Sequence, residues 1–258
     1  MLGRLLYRDG LMLVIDKPAG FAVHRGPKGG ESLEDHFDAL RFGLPRNPAL
    51  AHRLDKDTSG CLVLGRHRKA LAQLGKLFKS GLIEKTYWAV VEGTPDADQG
   101  RIELPLGRLD VTRGWWMKHD PEGQPAVTTW RVMGRSAGNL TCNLTWLALA
   151  PLTGRTHQLR VHCAEMDWPI LGDAIYGKAP RNGGPVLHLH AREIVVPLYK
   201  NRAPIRVVAP VPEHMRERLF ACGWRDDDAL TSSLSATQQS ANQEAANRAP
   251  GAAKLPVE

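Results

Sequence analysis

Cysteine is scarce in this chain. The four cysteines among its 258 residues, Cys61, Cys142, Cys163 and Cys222, lie far apart and form no C-x-x-C pair. That spacing argues against a zinc ribbon and against a disulfide framework, leaving reduced thiols packed as small apolar side chains. Long hydrophobic runs are missing too. The apolar pieces "LGRLL" and "LMLVI" are interrupted by Arg4, Arg8, Asp9 and Asp16, so neither a signal-peptide core nor a membrane span can be drawn. A cytoplasmic protein without a membrane partner is expected. No phosphate-binding glycine loop, nucleophile elbow or H-E-x-x-H pair occurs. Ten histidines are present, but His157 and His162 are five apart and do not stack on one helical face. His188 and His190 alternate within an apolar run and read as packed, hydrogen-bonded residues on one face of a strand. Acid is also in deficit: 34 Lys and Arg stand against 27 Asp and Glu, a net charge of +7 that favours a polyanionic partner such as nucleic acid or an anionic membrane surface.

What is present is a succession of strand patterns with few helices. Leu5 to Tyr7 and Leu11 to Ile15 read as a hairpin around Arg8-Asp9-Gly10. Ser32 caps a short helix predicted to run to about Phe42, with Glu34 and Asp35 in its first turn. Leu62 to Leu64 is a short strand. The "HRKALAQLGKLFKSG" stretch places Ala70, Leu71, Leu74, Leu77 and Phe78 at helical spacing, with Gly81 as its stop and a basic outward face. "IEKTYWAVVEG", "RIELPLGR", Val127 to Met133, Asn139 to Ala148 and "VLHLHAREIVVPL" read as further strands. "TGRTHQLRVHCAEM" reads as a helix with Arg155 at its mouth and a stripe of Leu159, His162, Cys163 and Met166. Strands in sequence rather than strict alternation favour an α+β domain with a large mixed sheet. Residues 226–258 lack aromatic and branched apolar clusters and are expected to be a disordered tail, leaving 1–225 as the folded domain.

The most informative stretch is "AHRLDKDTSGCLVLGR", which sets Asp55 among His52, Arg53, Lys56 and Asp57. A carboxylate so placed is either a loop-pinning salt bridge or a reactive group. "GRTHQLR" supplies Arg155 and Arg160 near a helix start, where the dipole also attracts anions. Tyr87 in "KTYWAVVEG" offers a ring that can stack on a base or simply pack in the sheet.

"HRLDKDTSG" resembles the H-R-L-D-x-x-T-S-G signature of the RluA-type family of pseudouridine synthases, and "DKPAG", "KTYWAVVEG", "GRTHQLRVH" and "PILGDAIYG" resemble its other motifs in the family's order. The resemblance spans about residues 5 to 210. It implies a mixed, mostly antiparallel central sheet flanked by helices, with an active site in a long cleft. It also implies isomerisation of uridine in transfer or ribosomal RNA to pseudouridine: the base is detached from the ribose, turned and rejoined through carbon. By that resemblance Asp55 is the catalytic acid residue, Tyr87 packs against the target base, Arg160 pairs with Asp55, and Arg53 enters the gap left by the extruded nucleotide. His52, Thr58, Arg155 and Lys17 are expected around the substrate, Lys17 and Pro18 in a mainly architectural role.

These roles suit the chemistry. Breaking a glycosidic bond develops positive character on the sugar, so an ionised carboxylate nearby can stabilise it, attack it or remove a sugar proton. Extruding the nucleotide costs a few kcal/mol, which a stacking guanidinium can offset. No metal or organic cofactor is needed. Family members often carry a small RNA-binding domain ahead of the catalytic one; here the catalytic pattern starts within a few residues of Met1, so a stand-alone, monomeric catalytic domain is expected. Trp115 and Trp116, beside Arg113 and Lys118, can stack on RNA or be buried. Two rivals remain: a non-catalytic RNA-binding or RNA-chaperone protein of the same fold, and a two-carboxylate glycosidase with Asp57 as second acid.

Overall fold

The structure is a computed structural model that describes residues 1–25, 29–110, 116–136 and 143–225. The proposed tail, Trp115, Arg113 and Cys142 lie outside the described residues.

The chain opens with the expected hairpin, β1 (Leu5–Arg8) and β2 (Met12–Lys17). Its turn is closed by Asp9, whose Oδ1 accepts the backbone N–H groups of Leu11 and Met12 at 2.7 and 2.8 Å. The following helix is 3-10 rather than α and stops at Leu40, short of the expected Phe42. At its start Asp35 accepts the Ser32 N–H at 2.8 Å, and Leu33, Phe37 and Leu40 are buried. Next come β3 (Ala49–Leu50), β4 (Ser59–Gly65) and α1 (Arg68–Lys79). His67 caps α1 through Nδ1, and Gly81 follows at φ 72°, a left-handed value that suits a helix stop.

β5 (Glu84–Glu92) precedes β6 (Gln99–Glu103) and β7 (Leu106–Arg108). The sequence reads these last two as one strand, but the segment containing Pro105 separates them, and β7 pairs instead with β8 (Met117–His119) in a small separate sheet. The chain continues through β9 (Val127–Arg135), β10 (Leu144–Pro151), α2 (Gln158–Glu165), β11 (Leu189–Val196), β12 (Ile205–Val208) and α3 (Glu213–Ala221). Of the strand expected from Asn139, residues 139–142 lie outside the described residues.

Among the described residues, the main sheet runs β1-β2-β4-β11-β5-β10-β9-β6, with β3 added beside β4 and β12 beside β11. Only the β4–β11 pairing is parallel. The sheet is buried on both faces, and β5 shows how period-two alternation achieves this. Trp88 and Val90 join Trp146, Met215, Leu219 and Trp224 on the α3 side. Ala89 and Val91 join Leu147, Leu149, Leu159 and Cys163 on the α2 side, where Tyr87 also packs. In α2 the expected stripe fails at Met166, which caps the helix and is exposed. Cys61, Cys163 and Cys222 are reduced and buried, as expected.

Candidate active site

The β3–β4 loop carries Arg53 to Thr58, and the protein pins it from beneath. Lys17, wholly buried, donates from Nζ to the carbonyls of Lys56 and Pro18, both at 2.8 Å. Burial lowers its pKa to about 8, while Asp57, Asp55 and Asp16 act in the other direction. Lys17 is therefore committed to holding the loop, in keeping with the architectural part of its expected role. His52 is likewise engaged within the protein: its Nε2 accepts the Val63 N–H at 3.0 Å, and its ring stacks on Phe78 with centroids 4.5 Å apart. Burial pushes its pKa down to about 3, keeping it a neutral acceptor. Immediately after the loop, Gly60 (φ 104°) packs against the backbone of Ala191, and a Cβ there would collide with the Ala191 carbonyl. This explains the glycine that ends the signature: it lets β4 and β11 close beneath the loop.

Above the loop lies a cavity of about 550 Å³ whose walls include Arg53, Asp55, Lys85, Tyr87, Arg155 and His157. The charge of Asp55 acts on Lys17, Tyr87, His157, Arg160 and Tyr176. Tyr87, between the partner strands β11 and β10, is held protonated, its pKa raised first by burial and then by Asp55. Arg53 reaches the rim, where Nη2 donates to Thr156 Oγ1 at 3.0 Å, and Arg155 donates from Nε to the Pro125 carbonyl at 3.1 Å. The Thr58 side-chain oxygen is buried in the cavity wall with no hydrogen-bond partner among the described residues.

The expected Arg160–Asp55 pair does not form. Arg160 makes a two-pronged contact with Asp173, Nε to Oδ2 and Nη2 to Oδ1, each 2.7 Å. Asp173 also accepts the N–H groups of Ile175 and Tyr176 at 2.9 and 3.0 Å. Burial alone would raise the Asp173 pKa, but these donors hold it below the usual carboxylate range. The geometric reason is that the planar guanidinium, on the buried face of α2, meets a carboxylate of matching shape. Asp55 instead faces His157, with Oδ1 3.9 Å from Nε2.

His157 sits at the start of α2 with φ 53°. Its Nδ1 is 2.7 Å from the Tyr176 hydroxyl, and that hydroxyl accepts the Met117 N–H at 2.9 Å. A hydroxyl that accepts from Met117 keeps its own proton available for Nδ1, an arrangement in which the imidazole proton sits on Nε2, facing Asp55. Burial lowers the His157 pKa, favouring this neutral form. Sequence reasoning assigned no role to His157, Tyr176, Asp173 or Lys85, although all four lie inside the quoted motifs.

Asp57 lines a different cavity, of about 750 Å³, so Asp55 is the sole acid among the described residues lining the first one. That removes the second carboxylate a two-acid glycosidase requires. Trp116 lies under the Arg181 guanidinium at 5.2 Å. Among the described residues no group of three His, Cys, Asp or Glu is disposed to hold a metal, and no helix is long and apolar enough to cross a membrane.

The fold and this loop together are those of the pseudouridine synthases. Human RNA pseudouridylate synthase domain containing 4 superposes with a TM-score of 0.69 at 27% identity, over 86% of this chain and 94% of that one. Residues 11–165 match the family described as RNA pseudouridylate synthase. An RNA pseudouridine synthase of Zymomonas mobilis is 40% identical over 214 residues, 81% of this chain and 94% of that protein. Ribosomal large subunit pseudouridine synthase D of Xylella fastidiosa is 37% identical, covering 88% of this chain and 70% of that protein. The chain belongs to the RluA-type RNA pseudouridine synthase family, and its activity is that of an RNA isomerase.

Proposed function

We propose that this protein converts uridine to pseudouridine in ribosomal RNA, with Asp55 as the catalytic residue. The carrying observation is the isolation of Asp55: a carboxylate on the cavity wall with no second acid among the described residues that line it. Bound uridine would stack on Tyr87, and the ionised Asp55 would act at the ribose as the N1–C1′ bond breaks, as nucleophile, base or charge stabiliser. The freed uracil turns, a C5–C1′ bond forms, the C5 proton is lost and N1 gains a proton. Atoms balance without a co-reactant. His157 is a positioning residue, directing Nε2–H at Asp55; the 3.9 Å gap is of the kind that tightens when substrate arrives. Arg160, clamped by Asp173, adds a fixed positive charge on the cavity wall, on which the charge of Asp55 also acts. Arg53, at the rim, would occupy the space vacated by the nucleotide.

Ribosomal rather than transfer RNA is chosen because the Xylella fastidiosa relative bears a large-subunit ribosomal name. The test is single-turnover pseudouridine formation on ribosomal and transfer RNA transcripts. Wild type should modify the former, while Asp55→Asn should fold, bind and form none. Turnover by Asp55→Asn would return Asp55 to a loop-pinning role, and modification confined to transfer RNA would overturn the substrate.

A further inference from the structure

Two lysines near the catalytic loop, Lys17 wholly buried and Lys85 partly buried in the cavity wall, are treated differently. Lys17 has two carbonyl acceptors at 2.8 Å and three carboxylates acting on it, the equipment of a structural ammonium. Lys85 has neither. Among the described residues it makes no hydrogen bond and no ion pair, and nothing offsets the desolvation that pulls its pKa down to about 8. Its surroundings in the cavity wall offer no help. The neighbouring His52 ring is a neutral acceptor already used by Val63, and Phe78 behind it is apolar. Such an ammonium costs the free protein stability, because its solvation is reduced and no protein group replaces the lost water.

Its position indicates what would repay that cost. Lys85 and Tyr87 are two apart on β5, so both side chains leave the sheet on the same face, and both line the catalytic cavity. The cavity wall also carries Arg53, Lys79 and Arg155, whereas the charge of Arg160 is already met by Asp173. Asp55 is the one acid among the described lining residues, leaving the cavity strongly positive. An anion must come from outside, and the substrate supplies one at every nucleotide.

We propose that Lys85 is a phosphate-binding residue of the catalytic cavity, taking a phosphodiester oxygen of the RNA strand next to the extruded uridine while that uracil lies on Tyr87. The assignment rests on RNA being the substrate. A base on Tyr87 leaves its phosphates about a ribose away along the strand, and Lys85 lines the same cavity two residues from Tyr87 on β5. Lysine suits this task as a point charge with three rotatable donors, able to follow a backbone that shifts as the base turns. Because the contact is to the backbone, it adds affinity without reading sequence.

Lys85→Met, which keeps the stem and removes the charge, and Lys85→Arg, which keeps the charge, test the assignment. Binding of a ribosomal RNA transcript is measured across a salt series, together with melting of the free protein and single-turnover pseudouridine formation. Lys85→Met should bind about tenfold more weakly at low salt. The slope of log affinity against log salt should fall by about 0.7 to 0.9, the loss of one phosphate contact. Its melting temperature should stay level or rise, because an unpaired cation has been removed. Lys85→Arg should keep the wild-type slope. Unchanged affinity and slope in Lys85→Met, with wild type still isomerising the transcript, would overturn the phosphate site alone. A lowered melting temperature with intact RNA binding would make Lys85 structural and overturn it equally. A wild-type protein that forms no pseudouridine on any RNA would overturn the substrate reading and this assignment with it.

Discussion

Two aspartates lie at opposite ends of one short chain of contacts, and the protein surrounds them differently. Asp173 is 1% exposed and accepts four hydrogen bonds, two from Arg160 and two from backbone N–H groups. Asp55 is 20% exposed, and its carboxylate accepts no hydrogen bond among the described residues. A carboxylate held by four donors is a fastener, and its partners would have to be broken before it could react. One with its oxygens free and a donor waiting at 3.9 Å can take a new bond when substrate arrives. The contrast teaches that a reactive acid can be supported indirectly. Asp173 holds the Tyr176 backbone, the Tyr176 hydroxyl faces His157, and His157 faces Asp55.

The largest expected effect comes from exchanging the roles. Asp173→Asn leaves Arg160 buried without its counter-charge and should cost about 3–5 kcal/mol of folding stability. That is a large part of what a domain of this size possesses. Asp55→Asn breaks no hydrogen bond and should leave the unfolding midpoint close to wild type while abolishing turnover. Urea unfolding of the two variants checks the pair. Equal stability losses would erase the distinction between fastener and reactive acid.

The strands and the Asp55 end of this contrast were legible in the sequence; the Asp173 end was not, and the reason is physical. Short apolar runs bounded by turn residues identified β2, β4, β5, β9 and β11, because a sheet buried on both faces needs apolar residues at successive positions. The signature loop pointed to Asp55, but nothing in the spacing could say which of two acids Arg160 would choose. Its partner, thirteen residues away, is selected by how α2 docks on the loop after it. The same limit hid His157, whose role depends on Tyr176 across space, and Lys85, whose lack of partners no string of letters displays. Leu33, Phe37 and Leu40 of the 3-10 helix fall at the spacing of two α-helical turns, so the pattern found the element but not its winding.

The link between the two regions can be cut without disturbing either end. Tyr176→Phe keeps the ring beneath the Arg160 guanidinium, 5.3 Å away, and keeps the backbone N–H on Asp173. It removes the hydroxyl that serves Met117 and fixes the His157 tautomer. Stability should fall by about 1 kcal/mol, while single-turnover rate falls about tenfold with RNA affinity unchanged. His157→Ala should make Tyr176→Phe nearly silent, because the hydroxyl then has no imidazole to orient. Additive losses in the double variant would mean the two residues act separately.

The smallest effect compares Thr58, in the cavity wall, with Thr145, on β10 away from it, and tests whether that wall is built for the free protein or for its substrate. Thr145, fully buried, donates its hydroxyl to the Gly93 carbonyl at 2.7 Å, so Thr145→Val should cost about 1 kcal/mol. Thr58, equally buried, has a hydroxyl with no partner among the described residues, so Thr58→Val removes only a desolvated polar atom. Replacing such a group with a methyl of similar shape is neutral or slightly stabilising, by less than about 1 kcal/mol. Turnover should nevertheless fall a few-fold if the substrate supplies the missing partner once the cavity is filled. Thermal melting of the two variants, read beside single-turnover rates, decides the matter. A Thr58→Val protein as destabilised as Thr145→Val would show that its hydroxyl is already bonded in the free protein, and the loop beside Asp55 would then be as closed as the Asp173 cluster.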